Sequence, residues 1–190
     1  DPPAGPVQET GTRMVFLPTS GDYAISQPGS YRITRNATYV GFGRSIQIAA
    51  SGVTLDLGGF VLERVPVVLA DGVRDVVIKN GRIDCQGLFA YGIRGPNAKE
   101  SRVEGVSVFN FNQGVIEERI GILLGDRCEV RGCVVSGSDG RGIRLGDDSV
   151  VTDCVVNFHS AGGVMVGHRS TVRNVSCRDP GFPGGTGIVT

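Results

Sequence analysis

The chain has 190 residues with 19 basic and 19 acidic side chains, so its formal net charge is zero. This length corresponds to one domain of ordinary size. A neutral chain favours neither nucleic acid nor an anionic membrane surface as a partner, and no apolar run reaches the roughly 20 residues of a membrane-spanning helix. Thirty glycines and the absence of tryptophan indicate many tight turns rather than helices.

The first predicted element covers residues 1–44 and comprises an N-terminal extension, a cap and entry strands. Within residues 23–34, the turn Pro28-Gly29 joins two runs of alternating apolar and polar residues, which is typical of short strands. Residues 14–34 are predicted to cover the open end of the structure that follows. The apolar side chains available for this cover are Met14, Val15, Phe16, Leu17 and Tyr23.

The second predicted element, residues 45–190, is a repeat. Segments that begin at Gly121, Gly142 and Gly163 match position for position with a period of 21 residues. Looser copies lie upstream, at residues 53–57, 76–80 and 103–108. Self-similarity at this period is typical of a solenoid.

Each repeat unit contains two short strands and a bend. Apolar and polar residues alternate as in a strand, and a step of three rather than two residues then marks a corner. The corner residues Gly132, Asp153 and Asn174 are types that tolerate left-handed backbone. We therefore predict an all-β fold, a right-handed parallel β-helix (solenoid) of about seven rungs with an N-terminal cap.

The five cysteines are an odd number in a domain large enough to fold without disulfides. The repeat places Cys133 and Cys154 one above the other in an inward column. We predict that they are reduced core residues, and that the chain binds neither a metal ion nor another cofactor.

Residues 26–34 read Ser-Gln-Pro-Gly-Ser-Tyr-Arg-Ile-Thr, and residues 52–60 read Gly-Val-Thr-Leu-Asp-Leu-Gly-Gly-Phe. Together with the Gly-Ile-x-Leu-Gly-Asp units downstream, they resemble the right-handed parallel β-helix proteins of the pectate-lyase-like group. The resemblance covers nearly the whole chain. It implies the fold and, since most characterised relatives act on or bind polysaccharides, a polysaccharide partner and a secreted or cell-surface location. The matching residues are core and turn positions, so the resemblance implies no catalytic residue.

Two connections between strands are longer than the others, residues 84–97 and residues 109–119. Because they belong to adjacent rungs, we expect them to lie side by side, and insertions of this kind often form the binding face of a solenoid. Their aromatic, amide and charged side chains suit stacking and hydrogen bonding to sugar rings. The candidate ligand-binding residues are Phe89, Tyr91, Arg94, Phe109, Phe111, Asn112, Glu117, Glu118 and Arg119. The alternative is that the aromatic residues only cover the flank of the solenoid.

A column of polar residues follows from the strict repeat, because Asp126, Asp147 and His168 occupy equivalent positions. We predict Asp147, the adjacent Asp148, and His168 as candidate catalytic residues, since neighbouring carboxylates and an imidazole supply an acid and a base. The alternative is a turn position at which aspartate stabilises the bend.

A further column, Leu123, Arg144 and Met165, is predicted to face outward, as on a covered or self-associating face.

The leading predicted function is an extracellular module that binds or processes polysaccharide. The alternative is a non-catalytic structural repeat, such as a spike or adhesin segment. Such a module would self-associate, with homo-oligomers formed through an open C-terminal end of the solenoid.

Overall fold

The computed structural model describes residues 11–17, 21–39, 44–112, 119–138, 140–159, 162–178 and 187–189. These residues form a parallel β-solenoid of about six turns, close to the predicted seven. All of the strand pairs between described residues are parallel. Within these ranges the structure has no helix, and hence none of the length and apolar character needed to cross a membrane.

One sheet, sheet 1, has 13 strands and forms two faces of the coil. Its first face contains β1 (Arg13–Val15), β3 (Gly29–Ile33), β6 (Val53–Asp56), the first halves of β9 (Val77–Asp84) and β11 (Arg102–Phe109), β13 (Glu129–Arg131), β16 (Val150–Thr152) and β19 (Thr171–Arg173). Its second face contains β4 (Ala37–Thr38), β7 (Val61–Glu63), the second halves of β9 and β11, β14 (Val134–Ser138), β17 (Val155–His159) and β20 (Ser176–Arg178).

The other sheet, sheet 2, has eight strands and forms the third face. Its strands, in spatial order, are β2 (Tyr23–Ile25), β5 (Ile46–Ile48), β8 (Val67–Leu69), β10 (Tyr91–Gly95), β12 (Ile120–Leu124), β15 (Arg141–Arg144), β18 (Gly162–Met165) and β21 (Ile188–Val189). The chain thus passes through sheet 2, then both faces of sheet 1, once in each turn.

The predicted register of the repeat is confirmed. Val130 pairs with Val151, and Val151 with Val172, at the predicted interval of 21 residues. Val135 and Val156 stack in the same way on the second face. These residues lie in one continuous core, in which identical or similar side chains are in contact from turn to turn.

The predicted corners are also confirmed. Gly132, Asp153 and Asn174 have φ values of 60°, 56° and 48°, so each holds the left-handed conformation that changes the chain direction. Asn174 donates from Nδ2 to Oδ1 of Asp153 on the turn before, at 2.7 Å. Side chains at this corner therefore bond along the solenoid axis as well as bending the chain.

A column of glycines explains why each regular unit begins with this residue. A Cβ atom at Gly121 would lie 2.8 Å from both Cζ of Phe111 and the carbonyl oxygen of Gly142, and closer still to Cγ1 of Val135. At Gly92, Gly121 and Gly163, the sheet 2 strand thus approaches the second face of sheet 1 too closely for any side chain.

All five cysteines are free, as predicted. Cys133 and Cys154 are buried on consecutive turns, where their thiols donate to the carbonyls of Arg131 and Thr152 at 3.3 and 3.1 Å. Burial raises the pKa of the Cys85 thiol far above its ordinary value. Four of the five, Cys85, Cys128, Cys133 and Cys154, are thus small core residues rather than exposed nucleophiles, and Cys177 is half-buried.

The described part of the N-terminal element continues both sheets, because β1 pairs with β3 and β2 pairs with β5. Val15 is buried in the core, whereas Met14 and Phe16 are 56% and 63% exposed. Of the apolar residues predicted to form the cap, Leu17 and Tyr23 pack against the core.

Candidate functional site

A hollow of about 500 Å³ opens where the two predicted insertions leave the coil. We call it the polar hollow; its lining residues are Asp84, Gln86, Gly87, Asn110, Asn112 and Gly137. The backbone N–H of Gly87 donates to the carbonyl of Asn110 at 2.6 Å, and that of Cys85 donates to Phe109 at 2.9 Å. The first residues of the two insertions, 84–87 and 109–110, therefore lie side by side on adjacent turns.

Left-handed corner residues form the polar hollow. Gln86 and Asn110 have φ values of 47° and 57°, and Arg64 occupies the equivalent corner one turn earlier with φ of 60°. The Arg64 Nε group donates to Oε1 of Gln86 at 2.9 Å. The bends that end the second face of sheet 1 thus position an amide side chain on each of two successive turns.

Asp84 is the anionic group of the polar hollow. Its Oδ1 accepts hydrogen bonds from Nδ2 of Asn110 at 2.9 Å and from the backbone N–H of Gln86 at 3.1 Å. Its Oδ2 accepts from Nη2 of Arg82 at 3.0 Å. Partial burial acts to raise the pKa of Asp84, but the hydrogen bonds from Asn110 and Arg82 outweigh it and hold that pKa below its usual value. Asp84 is therefore a carboxylate at neutral pH.

Three polar atoms of the hollow make no hydrogen bond within the part of the chain that the structure describes. They are Nε2 of Gln86, Oδ1 of Asn110 and Nδ2 of Asn112. The remaining atoms of the same side chains are fixed, since Oδ1 of Asn112 accepts from Nη1 of Arg119 at 2.8 Å. The polar hollow thus presents two donors and an acceptor on side chains that are already oriented.

Of the predicted aromatic residues, Phe109 lies beside the polar hollow. It pairs with Asp84 on the turn before and with Ser136 on the turn after. The Arg82 guanidinium carbon lies 4.2 Å from the centre of its ring. Phe111, by contrast, is 0% exposed in the core, so its ring has no free face for stacking.

The candidate ligand-binding residues Phe89, Tyr91 and Arg94 do not line the polar hollow. Tyr91 and Arg94 lie on β10 of sheet 2, where the Arg94 guanidinium carbon is 5.6 Å from the Tyr91 ring centre. Phe89 packs against the core. Glu117 and Glu118 lie outside the described residues.

Three residues of the polar hollow, Asp84, Gln86 and Asn110, were not among the predicted site residues. Asp84 and Gln86 are in the first insertion, together with other polar residues. What sets them apart is the left-handed corner that the chain makes at Gln86, next to Asp84 in space. The signal in the sequence is an alignment of Arg64, Gln86 and Asn110 on successive turns, which the unequal spacing of the upstream repeats conceals.

The predicted polar column is present on consecutive turns. Oδ1 of Asp126 accepts the backbone N–H of Asp147 at 3.1 Å, and Oδ1 of Asp147 accepts that of His168 at 2.9 Å. Asp148 faces a different neighbour, because Arg169 donates to both of its carboxylate oxygens, at 2.7 and 2.8 Å. These hydrogen bonds lower the pKa of Asp148. Asp147 and Asp148 are thus each committed to a neighbouring turn.

Asp147 also lines a second depression, of about 380 Å³, at the carboxyl ends of the sheet 2 strands β12, β15 and β18. We call it the sheet 2 groove; its lining residues are Pro96, Leu123, Leu124, Gly125, Asp126, Arg144, Leu145, Gly146, Asp147, Met165, Val166 and Gly167. The groove and the polar hollow share no residue.

Among the described residues, no group of three or more His, Cys, Asp or Glu side chains is arranged to hold a metal ion. Comparisons of the chain with protein-family models, with curated proteins and with solved structures give no significant match. The parallel β-solenoid is thus established by the structure, and a relationship to the pectate-lyase-like group stays a prediction from the sequence.

Proposed function

We propose that the protein binds a linear polysaccharide at the polar hollow. The observation that supports this proposal best is the meeting of two insertions on adjacent turns, with a carboxylate and three amide side chains around one open depression. A protein with this function would act outside the cell or at its surface.

The chemistry of the hollow suits a ligand rich in hydroxyl groups. The free donors of Gln86 and Asn112 and the free acceptor of Asn110 match hydroxyls, which both donate and accept. The ionised Asp84 accepts charge-assisted hydrogen bonds, which are stronger than those between neutral groups. Since these side chains are already held by their neighbours, binding costs less conformational entropy than it would for mobile side chains.

The contacts of the predicted catalytic residues favour binding over cleavage. A general acid must hold a proton at the working pH, and Arg169 stabilises Asp148 as a carboxylate. Asp147 accepts the amide of His168, which gives it a role in the stacking of turns.

The experiment measures retention of the protein by a panel of neutral and acidic polysaccharides, together with the size distribution of each polymer before and after incubation. We expect retention on at least one polymer without shortening of its chains. Shortened chains would replace binding by processing as the function, and Asp147→Asn, Asp148→Asn and His168→Ala would then test the predicted catalytic residues.

A matched pair of variants locates the binding site. Asn110 and Asn174 are both left-handed asparagines, with φ values of 57° and 48°, and each donates to an aspartate one turn earlier. Glycine tolerates this conformation, so Asn110→Gly and Asn174→Gly remove the side chain without backbone strain. We expect Asn110→Gly to weaken binding at least about tenfold, or about 1.4 kcal/mol, and Asn174→Gly to leave it unchanged. Equal binding by both variants, or no binding of any polymer by the wild type, would refute the proposal.

A further inference from the structure

The outer face of sheet 2 has a column in which basic and apolar side chains alternate. Arg94 pairs with Leu123, Leu123 with Arg144, and Arg144 with Met165. Successive members are one turn apart, about 4.8 Å along the axis. Arg144 is exposed and the two apolar side chains beside it are half-buried. Leu123, Arg144 and Met165 of this column line the sheet 2 groove, and we call them its basic wall.

The opposite wall of the sheet 2 groove is acidic. It consists of Asp126 and Asp147, on the same turns as Leu123 and Arg144 respectively. Glycines form the floor between the walls, and a Cβ atom at Gly146 or Gly167 would collide with the Oδ1 atom of Asp126 or Asp147. The groove is therefore open because the chain has no side chain between the two walls.

Arg144 and Asp147 are two charged residues of the sheet 2 groove that have no charged partner in the part of the chain that the structure describes, although Oδ1 of Asp147 accepts the backbone N–H of His168 at 2.9 Å. Within the described residues neither forms an ion pair, although both lie on one turn of the same groove. Several arginines elsewhere in the molecule do pair with acids one turn away: Arg127 with Glu100 at 2.8 Å, Arg131 with Glu104 at 3.0 Å and Arg169 with Asp148 at 2.7 Å. The sheet 2 groove thus leaves one positive and one negative charge available to a partner.

We propose that the sheet 2 groove is a docking surface for a second copy of this chain, in which Arg144 of each copy pairs with Asp147 of the other. A two-fold axis parallel to the solenoid axis, between the basic and acidic walls, places each basic wall against the acidic wall of the other copy. Such a contact is isologous and closes after two copies. It also removes Leu123 and Met165 from water, which adds a favourable apolar contribution to the electrostatic one. This inference does not depend on polysaccharide binding.

Analytical ultracentrifugation of the wild type, from micromolar to millimolar concentration and at low and high salt, tests the association. We expect a concentration-dependent dimer that weakens as salt rises, because salt screens exposed charge pairs. A wild type that is monomeric throughout this range would overturn the proposal.

Charge reversal then tests the pairing. Arg144→Asp and Asp147→Arg each place like charges opposite one another, so each variant alone should dimerise at least about tenfold more weakly, a loss of about 1.4 kcal/mol. An equimolar mixture of these two variants places opposite charges at both contacts and should recover association. Arg173→Asp, which reverses an exposed charge on sheet 1, should behave as the wild type does.

The mixture separates a specific contact from a folding defect, since two damaged folds do not repair each other. Circular dichroism of each variant checks the fold, because Asp147→Arg also removes the acceptor of the His168 amide. Mixed variants that stay monomeric, or an Arg144→Asp variant that dimerises as tightly as the wild type, would refute the Arg144–Asp147 contact.

Discussion

Gly121→Ala tests the packing of sheet 2 against the second face of sheet 1. A methyl group at this position would lie 2.8 Å from a ring carbon of Phe111 and from the carbonyl oxygen of Gly142, and would overlap Val135. The valine and the ring are themselves fully buried and the oxygen belongs to the backbone, so none can yield without moving the core. Overpacking of this kind costs about 3 kcal/mol.

Gly187 provides the matched control, because it lies in the equivalent position of the last described sheet 2 strand. Among the described residues, a Cβ atom there has one neighbour within 4 Å, Cβ of Cys177 at an ordinary 3.6 Å. Gly187→Ala should therefore leave the free energy of unfolding within about 1 kcal/mol of the wild type. For a chain of this size, a loss of about 3 kcal/mol lowers the melting temperature by about 6–12 °C.

Urea denaturation and thermal melting, both followed by far-ultraviolet circular dichroism, measure the two variants against the wild type. Equal stability of Gly121→Ala and Gly187→Ala would show that the close approach of the two sheets is wrong. It would also remove the physical reason for glycine at the start of each repeat.

Further predictions concern the acid, the thiols and an exposed ion pair. The pKa of Asp84 is lowered in the folded state, so its stabilising contribution of about 1 kcal/mol is present above the unfolded pKa near 4 and is lost as pH falls through the folded pKa. Asp84→Asn should therefore lower the stability in urea at pH 7 and have a vanishing effect near pH 2. A loss of stability that is the same at both pH values would contradict this assignment. Cys177 is half-buried and the other four thiols are buried. One thiol for each native chain should therefore react promptly with a thiol reagent, and all five should react after unfolding. Prompt reaction of Cys133 or Cys154 would show that these two residues do not lie in the buried columns of the core. Arg169→Ala removes an exposed pair with Asp148, so the urea midpoint should stay close to that of the wild type, because exposed ion pairs contribute little to stability. A clear loss in urea denaturation would mean that this corner stabilises the fold by more than an exposed ion pair.

The regular part of the fold could be predicted in detail because its repeat has one period. Because the spacing is identical, the recurrence of Val130, Val151 and Val172 every 21 residues identifies the inward column. A single step of three residues between inward side chains identifies the corner at Asp153. Each of these features depends on residues close together in the sequence, and the stacking then repeats them along the axis.

The sequence predicted where the candidate site lies but not which of its side chains face solvent. Insertion length indicated that residues 84–97 and 109–119 would meet, but composition could not distinguish an aromatic ring that faces solvent from one that fills the core. Phe111 is buried with the end of its ring against Gly121, at the start of the next sheet 2 strand, where the absence of a side chain leaves room for it. That contact joins positions in different turns, and the irregular spacing upstream of Gly121 conceals it in the sequence.

The hydrogen-bond partners of the acidic residues could not be predicted from the sequence either. Asp147 and Asp148 are neighbours in the chain, yet one accepts the amide of His168 and the other pairs with Arg169. The left-handed backbone of Asp148 directs the two side chains to different neighbours, and this difference arises from the corner rather than from residue type.

Amide chemical-shift mapping of the isotope-labelled protein, titrated with oligosaccharide fragments of whichever polymer retains it best, tests the central claim most directly. We predict that the largest shifts occur at residues 84–87, 110–112 and 137, around the polar hollow. Largest shifts along the sheet 2 groove, or no shifts at saturating oligosaccharide, would contradict it.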